Sequence, residues 1–140
     1  MMHYGHRLSV LAVIVIVLAS CSNKPPPRRE DPDTTNLRRI YQAFRLCEDF
    51  KQRGPKDVDE LKRYLGELGE PGTPEEFLIS RRDGHPFVIY YGNAINPAGG
   101  ELVLVHEKDG AEGKRYVLTL GGNVKSLLDA EFAKAQFAGK

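Results

Sequence analysis

Few side chains in this 140-residue chain can attack a substrate, relay a proton or hold a metal. The cysteines are Cys21 and Cys47, and the histidines are His3, His6, His85 and His106. A cysteine nucleophile needs a neighbouring base and surroundings that favour the thiolate. Cys47 instead shares a helical stripe with Phe44, which predicts a buried packing residue. His85 lies in a turn before Pro86, and His106 ends an apolar run. Together with Asp83 and Asp109 they define one reading of the chain, a small metal-dependent enzyme or metal-binding protein. No His-x-His or His-x-x-x-His spacing supports it. Gly121-Gly122 follows a strand-like run, but neither a G-x-G-x-x-G nor a Walker pattern is present, so no nucleotide is expected.

Cys21 stands apart because of what precedes it. Leu8 to Ser20 is thirteen residues without a charge, interrupted only by Ser9 and Ser20, with Arg7 in front. A helix needs about 20 apolar residues to cross a bilayer, so the run is short for a span and fits the apolar part of a secretory signal. Leu18-Ala19-Ser20-Cys21 resembles the lipobox of bacterial lipoproteins, in which small residues precede a cysteine that is acylated and becomes the first mature residue. The resemblance implies lipidation at Cys21 and a membrane partner reached through that lipid. It also implies a location in the bacterial cell envelope, facing the periplasm or the exterior. One acyl chain binds a membrane only marginally, whereas the two or three chains of this family anchor stably. Ser22 follows the cysteine, where some bacteria place an Asp as an inner-membrane retention signal.

Without residues 1–20 the chain keeps 120 residues, enough for one domain, with 19 basic and 19 acidic side chains. This balance gives no electrostatic reason to bind nucleic acid. With Cys21 lipidated, Cys47 has no disulfide partner. Ser22 to Thr35, SNKPPPRREDPDTT, is rich in proline and charge and reads as an extended tether reaching on the order of 40 Å. The expected organisation is therefore a signal peptide over 1–20, a tether over 21–35 and a single domain over 36–140.

Within that domain, Leu37, Ile40, Tyr41, Phe44, Cys47 and Phe50 recur at three- and four-residue steps, predicting a helix over 36–53. Thr35 or Asn36 is the expected cap, and Gly54-Pro55 the expected stop. Asp57 with Glu60 caps a second helix, whose apolar side is Val58, Leu61, Tyr64, Leu65 and Leu68. After a turn-rich link at 70–74, strand-like runs follow at 77–80, 86–91, 102–106 and 115–120. A brief helix is expected over 129–137. Helices first and consecutive strands afterwards predict an α+β fold with a small antiparallel sheet of about four strands.

Three short stretches carry a further resemblance. Asn36-Leu37-Arg38-Arg39-Ile40, leading through a helix to Gly54-Pro55, resembles the globular part of type II secretion pseudopilins. Asp83-Gly84-His85-Pro86-Phe87-Val88-Ile89-Tyr90 is similar to their Asp-x-Gly-x-Pro-aromatic strand entry. Arg115 to Leu127 is similar to the last strand pair of pilin-like proteins. The resemblance covers residues 36–128 and implies a pilin-like head linked to secretion. The family's apolar filament-forming helix, with its processing site, is replaced here by the signal and the lipid anchor. Calcium sites of that family place Glu107, Asp109 and Glu112 as candidate ligands, for which calcium wants six to eight oxygens; a solvated hairpin tip is the plainer expectation for all three. No other cofactor is implied. The expected role is a non-catalytic interaction module of the envelope, with Tyr90, Tyr91, Asn93 and Asn96 as candidate contacts to an envelope protein. Its alternative is the metal-dependent reading through His85 and His106.

Overall fold

A computed structural model describes residues 30–98 and 100–139. The expected signal, the candidate lipidation position Cys21 and the expected tether up to Arg29 lie outside the described residues. The elements run α1 (Pro32–Lys51), α2 (Val58–Glu67), α3 (Pro74–Phe77), β1 (Val88–Ile89), β2 (Val103–His106), β3 (Lys114–Thr119), β4 (Val124–Leu128) and α4 (Asp129–Phe132). The fold is mixed α+β. Its four strands form an antiparallel meander in the order β1-β2-β3-β4.

α1 begins earlier than the pattern of its apolar residues predicts, because the start signal lies inside the proline-rich stretch. The Asp31 side chain accepts the N–H of Asp33, and Pro32 occupies the first helical position, where its missing N–H costs nothing. Residues 32–35 are therefore helix and not tether. The helix ends at Lys51, with Gln52 left-handed and its N–H bonded to the Glu48 carbonyl, before Gly54 is reached. Phe50, predicted on the apolar face, is 69% exposed. α2 starts as expected, with the Asp57 carboxylate accepting the N–H of Glu60. Leu61, Tyr64 and Leu65 face inward, while Val58 is exposed.

The strand predicted over 77–80 is not formed. Thr73 and Glu76 close a capping box around Pro74, which winds 74–77 into the short α3 and leaves only an isolated bridge between Ile79 and Pro86. Strand pairing over 86–91 shrinks to Val88–Ile89. The fourth strand is instead Val124–Leu128, paired with β3 along its whole length after the turn at 121–123. The final helix covers 129–132, not 129–137. Beyond it the chain runs beside β2, where Val103 donates to the Gln136 carbonyl and Ala138 donates back to the Val103 carbonyl.

The core lies between the helices and the sheet: Leu37, Ile40, Phe44 and Cys47 of α1 and Leu61, Tyr64 and Leu65 of α2 meet Leu104, Val105 and Leu118. Full burial of such a side chain contributes roughly 1.5–3 kcal/mol. All four residues of β2 are buried, and a bulge between Val103 and Val105 breaks simple alternation, so Leu104 and Val105 both belong to the core.

Candidate functional site

The polar groups with the most developed geometry surround the start of α1 and the end of β2. Asp33, in the first turn of α1, is fully buried. Its Oδ1 accepts the N–H of Arg81 at 2.8 Å, and its Oδ2 accepts the N–H of Arg82 at 3.0 Å. Ser80, also fully buried, places Oγ 2.8 Å from Asp33 Oδ2 and 2.9 Å from Glu107 Oε1. Glu107 Oε2 accepts from Arg82 Nη1 at 3.0 Å and from the Tyr116 N–H at 2.7 Å. The Arg82 guanidinium also donates to the Ala111 carbonyl at 3.0 Å and lies over the Tyr116 ring, 4.1 Å from its centre. Tyr116 in turn places its hydroxyl 3.4 Å from Asp31 Oδ2.

This arrangement corrects the expectation for Glu107. It is not at a solvated hairpin tip and is not available to calcium, because the side chain is fully buried and its oxygens face Ser80, Arg82 and the Tyr116 N–H. Asp109 and Glu112 are exposed on the loop beyond it, and Glu112 takes a positive φ of 55°. Among the described residues, no group of three or more His, Cys, Asp or Glu side chains is arranged to hold a metal.

The two histidines have separate settings. His85 is on the surface, with Nε2 3.2 Å from Asp109 Oδ2. His106 is buried, and its Nδ1 donates to the Glu107 carbonyl at 2.7 Å. Its ring makes edge contacts with Phe132 and Phe137, at 4.9 and 5.6 Å between centres, and lies tilted 6.0 Å from the Tyr90 ring. Cys47 sits in the core as the helical stripe predicts, and burial pushes its thiol above the ordinary range.

The residues expected to contact a partner are mostly half-buried. Tyr90 and Tyr91 are both half-buried against the core, because Phe137 covers Tyr90 and the Asn93 amide folds back onto the Tyr90 and Tyr91 carbonyls at 3.1 and 3.2 Å. Burial raises the Tyr91 hydroxyl. Asn96 is exposed, and its side-chain oxygen accepts the N–H of Ala98. Of the four candidate contacts, Asn96 alone is an exposed residue.

Sequence reasoning missed Asp33 and Ser80. Asp33 lies in a proline-rich polar stretch and Ser80 closes the apolar run 77–80, and nothing in composition or period marks either as a buried polar group. Comparison with protein-family models, characterised proteins and solved structures finds no match to this chain.

Proposed function

We propose that this chain is a lipid-anchored, extracytoplasmic interaction module of the bacterial envelope, non-catalytic and built as a tethered head. The observation that carries the reading is the uncharged run Leu8–Ser20 closing on Cys21, followed at once by a polar, proline-rich segment. No helix among the described residues is long and apolar enough to cross a membrane. In this reading, membrane attachment falls to acyl chains on Cys21. Two of the domain's potential reactive groups are engaged in packing: Cys47 in the core and His106 among aromatic rings. A pilin-like ancestry of the head, and with it a role beside a secretion apparatus, rests on the three motifs at 36–40, 83–90 and 115–127.

Metabolic labelling with a fatty acid tests the anchor. Cys21→Ala is expected to abolish incorporation and to leave the protein as unprocessed precursor. Labelling that persists unchanged in Cys21→Ala would refute the assignment.

A further inference from the structure

Asp33, Ser80 and Glu107 come from three parts of the chain: the first turn of α1, the turn after α3 and the residue following β2. All three are fully buried, and Ser80 Oγ is within hydrogen-bond distance of both carboxylates, at 2.8 and 2.9 Å. A serine hydroxyl carries one proton. If both acids were ionised, one carboxylate oxygen would face a lone pair across a hydrogen-bond distance, away from water, which is costly. We propose that the folded protein holds one additional proton at this junction, on Glu107 Oε1, so that Glu107 donates to Ser80 and Ser80 donates to Asp33. The contact joining α1 to the sheet is thereby a proton-linked latch.

Donor placement decides which acid carries the proton. Asp33 already accepts a backbone N–H on each oxygen, so a proton on either oxygen would compete with a donor already in place. Glu107 receives Arg82 and the Tyr116 N–H on Oε2, and Oε1 faces Ser80 Oγ. Charge balance agrees, since ionised Asp33, protonated Arg82 and neutral Glu107 sum to zero in a buried setting. The other titratable groups around the cluster are Asp83, whose N–H meets Ser80 Oγ at 3.3 Å, the phenol of Tyr116 with Asp31 beyond it, and the His106 ring on the Glu107 carbonyl. Burial pushes the Glu107 carboxyl above its ordinary 4.5, and nearby Asp33 pushes the same way, against the Tyr116 N–H, Ser80 and Arg82.

A folded-state pKa that is raised contributes stability that is complete below 4.5 and is lost as pH rises through the raised value. The proposal is independent of how the chain is anchored. It is tested by urea unfolding of the full chain in detergent from about pH 4 to about pH 9, with a carboxyl carbon-13 titration of Glu107. The wild-type unfolding midpoint is expected to fall as Glu107 titrates. Glu107→Gln supplies an amide donor to Ser80 and a carbonyl to Arg82 and Tyr116, so it should remove that slope and match or exceed wild-type stability at the alkaline end. A variant less stable throughout with the slope intact would overturn the latch. If Asp33→Asn alone flattens the slope, the proton is not on Glu107. The wild-type carbon-13 signal decides the matter even if a variant does not fold: a shift already at the ionised value near pH 5 rules the proposal out.

Discussion

The Asp83 carboxylate reaches from the turn after α3 to the loop after β2, where Oδ2 accepts the N–H of Asp109 at 3.0 Å. The same oxygen takes the Gly110 N–H at 2.9 Å, while Oδ1 holds its own turn by accepting from His85 at 2.9 Å. One side chain thus ties the 80–85 turn to the loop after β2.

Asp83→Ala is accordingly expected to destabilise the fold by about 1–3 kcal/mol, because three backbone donors lose their acceptor together. Burial raises the Asp83 carboxyl, but the His85, Gly110 and Asp109 N–H groups outweigh it, and the net shift is below the ordinary 3.8. Its contribution is present above 3.8 and is lost as pH falls. Denaturant titration near neutral pH should show the loss, and equal midpoints for variant and wild type would contradict it.

Two glycines separate backbone space from backbone entropy. Gly66 lies within α2, and a Cβ there would meet only Pro74 Cγ, at 4.0 Å. Gly66→Ala should stabilise the protein by about 0.5–1 kcal/mol through helix propensity. At Gly54 a Cβ would fall 2.1 Å from the Asn93 carbonyl oxygen, which belongs to rigid backbone. Gly54→Ala should therefore lower the thermal midpoint, while Gly66→Ala raises it. A raised midpoint for Gly54→Ala would show that the approach of residue 54 to the 92–98 loop is not maintained in solution.

At the α1–α2 junction, Glu60 forks onto Arg53 at 2.7 and 3.0 Å and accepts the Lys56 N–H at 2.8 Å. The Arg53 hydrogen bonds, then that N–H, hold the carboxyl down to about 2 from an ordinary 4.5. Its stabilising contribution is present above 4.5 and is lost as pH falls toward 2. Glu60→Gln should flatten the acid side of the stability profile and leave the alkaline side as in wild type. An unaltered acid limb would show that Arg53 and Glu60 are not coupled in solution.

What could be read from the chain in advance follows the strength of local signals. The stripe from Leu37 to Cys47 is long and regular, so α1 and its buried face were legible. Phe50 lies on that stripe and is exposed because α1 ends one residue later, so position on a face does not guarantee a neighbour to cover it. Phe77-Leu78-Ile79 is too short an apolar run to distinguish strand from helix. Thr73-Pro74 with Glu76 was the stronger cue, since capping chemistry acts within one turn. Pro32 was a start signal hidden by Pro25-Pro26-Pro27 upstream. The Asp33–Ser80–Glu107 cluster had no local cue. It is created by contacts between residues 27 and 47 positions apart, and polar residues in turns ordinarily face water.

The strap beside β2 bears on the order in which the domain is made. Val103 depends on Gln136 and Ala138 for its outer backbone partners, and Ala138 is fully buried. A chain emerging stepwise from the ribosome can pair β2 with β3 and β3 with β4 as each appears, since the meander joins neighbours. The outer backbone groups of Val103, at the end of β2 that β1 does not reach, stay open until residue 138 arrives. A stop codon a few positions before residue 136 would leave both of those Val103 groups without their strap partners.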